Sequence, residues 1–323
     1  MTSATPCNCR PLVRTWARTD LAAFATAVAE ALPTTAMSPT PARVSRSHSP
    51  GGSLPRHVRP EITIVIATQL RPERLTYLTE LHASLTRQTV PWEAVLVLDG
   101  ADPTHVPAPL RADSRVRVLP LPRPVGAAAA RNLGLSTVST PYVCYSDDDD
   151  LLSDDSLDVR YRRITETGLG WVAGLIADLH PNGASTLWHC PAPAGIHQPG
   201  DVTTYWSSPG AQIPMCQTML LARTSLIVAA GGHGGLPQGE DLIMVTGVTS
   251  LAAGELIPHV VYFYRKHPGQ MTAGPDFQSL EEDIRRFAFE HGRQLRATLS
   301  DMRAAKPATP CLQRESRLTR IQA

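Results

Sequence analysis

Tyr142-Val-Cys-Tyr145, running into Ser146 and then Asp147-Asp148-Asp149-Asp150, is the stretch whose reading decides the fold. The apolar run is too short for a helix and fits a strand buried on both faces. It stops in four carboxylates, which cannot sit together as free anions without large repulsion. Three resolutions are open: solvation by water, protonation of some of the four, or a cation among them. All-oxygen ligands favour a hard cation such as Mg²⁺ or Mn²⁺, and Mg²⁺ commonly takes one or two carboxylates together with substrate phosphates. The spacing of a calcium-binding EF-hand loop is missing. Just downstream, Ser153 reads as a helix cap, with Asp154 and Asp155 favoured by the helix dipole.

Working outward, Ile62-Thr-Ile-Val-Ile66 is a β-branched run of the same buried type, and Ala94-Val-Leu-Val-Leu98 is another, ending at Asp99-Gly100. Arg115-Val-Arg-Val-Leu119 gives a shorter strand. Between the first two, residues 72–88 carry Leu75, Leu78, Leu81 and Leu85 at helical spacing. The Ala-rich segment Gly126–Val138 also reads as a helix. Strands alternating with helices imply right-handed crossovers and a mainly parallel α/β sheet covered by helices on both faces. Such sheets bind ligands at the carboxyl ends of their strands. Thr68 and Arg71 follow the first strand, Asp99 the second, and Asp147–Asp150 the fourth, so these residues are expected to share one cleft.

The chain has 323 residues, with 30 Lys and Arg against 29 Asp and Glu, for a formal charge of +1. So small a charge argues against a nucleic-acid binder held by phosphate neutralisation. The longest mostly apolar run, Leu21–Leu32, is 12 residues and contains Glu30, too short to span a bilayer. No secretory signal pattern opens the chain. The six cysteines form no Cys-x-x-Cys pair. A cytoplasmic protein is expected, with a peripheral membrane contact as an option. The average charge hides an uneven distribution. Residues 1–60 hold eight prolines and seven arginines against Asp20 and Glu30, and read as a flexible basic arm with one short helix near Asp20–Leu32. The expected organisation is this arm, one α/β domain over 61–275, a helix over 276–305 with Leu280, Ile284 and Phe287 on its packing face, and a loose tail over 306–323.

Six ordered motifs resemble the family 2 glycosyltransferases of GT-A (Rossmann-like) fold. They are ITIVIATQLRPERL, VLVLDGAD, GAAAARNLGL, YVCYSDDDDLL, GLPQGEDLIM and YFYRKHPGQMT, and they run from about Glu61 to Thr272. The resemblance implies a metal-dependent inverting enzyme. It would move a sugar from a nucleotide-diphospho-sugar, UDP-linked by expectation, to a hydroxyl on a carbohydrate, lipid-linked or secondary-metabolite acceptor. It implies that Thr68, Arg71, Asp99, Arg131, Asp147 and Asp148 hold the donor nucleotide. Asp149, Asp147 and His267 would hold Mn²⁺ or Mg²⁺, and Asp241, beside Glu240, would be the general base. Ala67, Gln69 and Leu70 depart from the family's Pro, Tyr and Asn, Leu98 stands where the first Asp of the second motif would be, and His233 lies in the Gly-Gly-Phe region. Among the aromatics of 171–221, Trp171 reads as core, and Trp206 and Trp188 are the expected acceptor contacts. Two other readings stay open. A sugar nucleotidyltransferase would want a Gly-rich loop after the first strand, where residues 67–71 hold no glycine. A non-catalytic nucleotide- or partner-binding module would tolerate loss of the aspartates and of Glu240-Asp241.

Overall fold

The computed structural model describes residues 59–207, 212–236, 238–268, 270 and 281–304. The basic arm with its expected short helix, the tail, and Leu280 lie outside the described residues. The elements in order are β1 (Ile62–Thr68), α1 (Leu75–Thr86), β2 (Trp92–Leu98), α2 (Ala108–Ala112), β3 (Val116–Pro120), α3 (Ala127–Leu135), β4 (Tyr142–Asp147) and β5 (Leu151–Leu152). They continue with α4 (Ser156–Thr167), β6 (Trp171–Leu179), β7 (Ser185–Leu187), β8 (Gly195–His197), α5 (Asp201–Thr204), β9 (Leu220–Arg223), α6 (Thr224–Ala229), α7 (Glu240–Leu251), β10 (Gly254–Arg265) and α8 (Glu281–Ala304).

One ten-stranded sheet runs in the order β3-β2-β1-β4-β9-β6-β10-β5, with β7 paired to β6 and β8 to β10 off this path. Pairing is parallel from β3 through β4. Beyond that it is mixed: β9 runs antiparallel to β4 and β6, whereas β6 and β10 are parallel. Ile62 through Ile66 are all buried, so both faces of β1 are covered. Side chains alternate between faces along a strand. Val65 and Val97 lie under α3, where a Cβ on Gly134 would come within 2.6 Å of Val65.

The acidic stretch forces the sheet to curl. Only three residues separate β4 from β5, so Asp147 and Leu151 are at most about 14 Å apart along the chain. In a flat sheet β5 would lie four strand positions away from β4, about 19 Å. The sheet therefore bends until its β10–β5 edge returns to the end of β4, with Tyr262 and Phe263 paired to Leu152 and Leu151.

The order also reverses at β1: β2 and β3 extend to one side and β4 to the other, which opens a crevice at the carboxyl ends of β1 and β4. The register Ala67↔Asp147 and Thr68↔Leu98 brings Thr68, Asp99 and the aspartates to the same end.

Trp171 is fully buried, as expected, and its indole donates to the Ala252 carbonyl at 3.0 Å. Two expectations about helix ends and faces are corrected. The cap position of α4 is Asp155, not Ser153, whose hydroxyl donates to Asp155 instead. On α8, Ile284 and Ala288 pack against Leu242 and Ile243 of α7, but Phe287 is 52% exposed and lies off that face. No helix among the described residues is long and apolar enough to cross a membrane.

The tightest approach in the fold is at Gly254, where a Cβ would lie 1.9 Å from the Trp171 ring. Gly254→Ala is expected to destabilise the domain by about 1–3 kcal/mol or more, read as a lower urea midpoint at unchanged slope.

Candidate active site

A cavity of about 1100 Å³ opens at the carboxyl ends of β1, β2 and β4. Of the residues singled out from the sequence, Thr68, Arg71, Asp99, Arg131, Asp147, Asp148, Asp149, Trp188, Glu240 and Asp241 line it. His267 lies behind Asp149 rather than on the wall. Trp206 is elsewhere: it is buried in the smaller apolar cluster, edge-on to Phe289, and its place is structural. The helix that covers it, α8, leaves no mark in the sequence around Trp206.

The four aspartates each meet a different environment. Asp147 accepts from Arg131 at 2.6 Å and from Gln217 at 3.4 Å, and its backbone N–H donates to the Tyr262 hydroxyl at 3.0 Å. Asp148 accepts from Thr68 at 2.6 Å and from Arg74 at 3.0 Å. Burial, opposed by those two partners, still pushes its carboxyl up. Asp149 pairs with Arg74 at 2.9 Å and with His267 at 3.0 Å through one oxygen, Oδ2. Asp150 is fully buried, and burial with the neighbouring Asp147 and Asp149 drives its carboxyl well above the usual range, toward the neutral form. One of its oxygens accepts the Arg265 backbone N–H at 2.8 Å. Arginines thus answer three of the four carboxylates, and burial favours the neutral form of the fourth.

Arg131 links the two acidic groups of the site. It is buried on α3, and its other terminal nitrogen donates to Glu240 at 2.8 Å. Burial works against its charge, but Asp147 and Glu240 overcome this and raise its pKa. Glu240 and Asp241 open α7, which is buried around its whole circumference from Leu242 to Leu251 and so sits rigidly in the core. The preceding Gly239 has φ +69°, and a Cβ there would lie 2.5 Å from Ile284, so the turn that aims these carboxylates requires glycine. Burial first, and Glu240 second, push the Asp241 carboxyl up to about 7, with Arg131 opposing.

Around β1, Asp99 accepts the backbone N–H groups of Val125 at 2.6 Å and Gly126 at 3.2 Å, so it braces the start of α3 while facing the cavity. Leu70 is the one non-glycine at positive φ among the described residues, at +50°. Its N–H donates to the Thr68 hydroxyl at 2.9 Å, and its side chain is buried. A bulky residue held this way stores strain of about 1–3 kcal/mol. Opposite, Trp188 donates to Asp178 at 2.5 Å and meets Tyr264 edge-on.

Residues 63–205 match the family described as Glycosyl transferase family 2. This region is a family 2 glycosyltransferase domain. Over 102 residues the chain is 31% identical to the glycosyltransferase GlyG of Streptococcus pneumoniae serotype 4, a match covering 30% of this chain and 34% of that relative. The match thus spans about a third of the relative's length. The fold is similar to that of S. aureus TarS 1–349 in complex with UDP-GlcNAc, with a TM-score of 0.56 at 18% identity over 80% of this chain and 76% of that one. The same protein in complex with UDP gives 0.54 at 17% identity, with the same coverage. These likenesses fix the GT-A fold of the family 2 domain.

Three residues of the site were not singled out from the sequence, Arg74, Gln217 and Tyr262, and His233 was noted only as a departure from the family's pattern. The imidazole of His233 is hydrogen-bonded to Gln217 at 2.6 Å, and burial with Arg131 nearby lowers its pKa well below the usual value. Arg74 could have been noticed three residues after Arg71 at a helix start; Gln217 carries no signal at all.

As for a metal, no group of three or more His, Cys, Asp or Glu among the described residues is placed to hold one. Asp147 is turned to Arg131, so it does not join Asp149 and His267 as expected. The Asp149–His267 pair remains, an oxygen and a nitrogen donor 3.0 Å apart. That pair suits a divalent ion whose other ligands come from substrate and water.

Arg131→Met is expected to leave Asp147 and Glu240 unpaired and to destabilise the domain by about 3–5 kcal/mol, measured by chemical denaturation.

Proposed function

We propose that the family 2 domain transfers a glycosyl group from a nucleotide-diphospho-sugar to an acceptor hydroxyl, with inversion at the anomeric carbon. The observation that carries this reading is the meeting, in one cavity, of the acidic end of β4 with Asp241, a carboxylate whose pKa of about 7 suits proton abstraction near neutrality. The likeness to S. aureus TarS in complex with UDP-GlcNAc supports a UDP-linked donor.

The donor nucleotide is assigned to the β1–β2–β4 end of the cavity, where Thr68, Asp99 and Asp148 are fixed by their mutual and backbone hydrogen bonds. Arg71 and Arg131 add positive charge along the same wall. A Mn²⁺ or Mg²⁺ ion on Asp149 and His267 would supply Lewis-acid stabilisation of the leaving diphosphate. Asp241 accepts the proton of the incoming hydroxyl as its oxygen attacks C1 and the C1–O bond to the diphosphate breaks, a single in-line displacement. Arg131, held between Asp147 and Glu240, keeps the donor end and the base in fixed relation. Trp188, with Tyr264, forms the apolar wall assigned to the acceptor, since flat rings match the C–H face of a sugar. A cytoplasmic location remains part of this proposal.

For an acid with a raised pKa, the base form exists only above that value. kcat/KM is therefore expected to rise with pH through about 7 and then level. Asp241→Asn should lower kcat by about 10²–10⁴ and abolish this acidic limb while leaving UDP binding intact. A variant that keeps the limb overturns the assignment of the base. Asp149→Ala should abolish metal-stimulated turnover; full turnover at saturating Mn²⁺ would remove Asp149 from the metal site.

A further inference from the structure

Arg74 ends the one-turn helix Pro72–Arg74 that leads into α1, and its side chain is only 15% exposed. A single nitrogen, Nη1, lies 3.0 Å from Asp148 Oδ1 and 2.9 Å from Asp149 Oδ2. The same Asp149 oxygen is 3.0 Å from His267 Nε2. The oxygen best placed to take a divalent ion is thus already shared by a guanidinium and an imidazole. The other oxygen of Asp148 is engaged by Thr68. A guanidinium stays charged throughout the physiological pH range, so this compensation, unlike a proton, is not lost as pH changes.

We propose that Arg74 is a tethered cation that holds the Asp148–Asp149 pair in the donor-free enzyme, and that a divalent ion reaches Asp149 only by displacing it. Two positive charges cannot share Asp149 Oδ2 at contact distance without repulsion. The displaced guanidinium remains on the rim of the cavity, which Arg74 lines beside Arg71, within reach of an anionic diphosphate. Metal alone is then disfavoured, because it leaves Arg74 without its carboxylates. Metal and nucleoside diphosphate together are favoured, because the second supplies a new partner for Arg74. The two ligands bind with positive coupling, and by linkage each strengthens the other equally. This inference rests on the assignment of the metal to Asp149 made above.

The test is titration of the full chain with Mn²⁺, followed by the electron paramagnetic resonance signal of the free ion, with and without UDP. Wild type is expected to bind Mn²⁺ alone weakly and to gain affinity with UDP. Arg74→Gln should bind Mn²⁺ alone about tenfold more tightly and show a smaller gain with UDP. Arg74→Lys keeps the charge and should behave as wild type. Thermal melts give a second reading. Arg74→Gln without metal should melt lower, because the two carboxylates repel, and Mn²⁺ should restore it by more than it raises wild type. Equal or weaker Mn²⁺ binding in Arg74→Gln, or tightening in Arg74→Lys equal to that in Arg74→Gln, overturns the proposal. Asp149→Asn separates the two levels. If it loses Mn²⁺ while Arg74→Gln is unchanged, the metal assignment stands and the role of Arg74 falls. If it binds Mn²⁺ as wild type does, both fall.

Discussion

Repulsion among four carboxylates at the end of one buried strand is the constraint on which the rest of this structure depends. They are answered by groups from several distant parts of the chain. Asp147 draws Arg131 from α3, and Asp148 and Asp149 draw Arg74 from the turn before α1. Asp149 also draws His267 from beyond β10, and Asp150 is buried beneath the backbone of Arg265 with its proton favoured. At low dielectric such pairs interact strongly, and a missing partner leaves a charge that the interior cannot solvate. The answers are therefore structural ties as much as electrostatic ones, and they fix the relative positions of β1, α3, β4 and β10 around the cavity.

The same network reaches the second acidic group. Arg131 places a fixed positive charge between Asp147 and Glu240, so the raised pKa of Asp241 is set against a defined background. Placing Glu240 and Asp241 in the first turn of α7 uses the favourable end of the helix dipole. Burial then outweighs that benefit for Asp241. Glu240 is thereby held in a salt bridge with Arg131, and its neighbour Asp241 is kept close to the balance point between acid and base.

Much of this was legible in the sequence because the central strands are dense in β-branched residues and end abruptly in polar ones. The run Ile62–Ile66 could only be a strand buried on both faces, and the placement of Thr68, Asp99 and Asp147 just beyond strand ends located the cleft. What was not legible depended on partners far along the chain. Trp206 sits beside polar residues in sequence, yet α8 buries it. Phe287 shares an apolar spacing with Ile284, but three residues on it is rotated about 60° off the buried face of α8, which Ala288 takes instead. Arg74 looks like any arginine at a helix start until the register of β1 with β4 sets Asp148 in front of it. The parallel half of the sheet follows from alternating strands and helices. The antiparallel insertion of β9 does not, because its four residues carry no pattern that fixes direction.

The curl of the sheet has a consequence for how the molecule assembles. Its closing seam, where Leu151 and Leu152 meet Phe263 and Tyr262, joins segments roughly 110 residues apart, a contact whose loop-closure entropy is met late in folding. Without β10 the aspartate loop has no Tyr262, Arg265 or His267 to receive it, and only Arg74 and Arg131 answer its carboxylates. Closing the seam buries Asp150 and supplies the remaining partners of the loop. The site is thus completed by the longest-range pairing in the sheet, which brings the Arg265 backbone to Asp150 and His267 to Asp149.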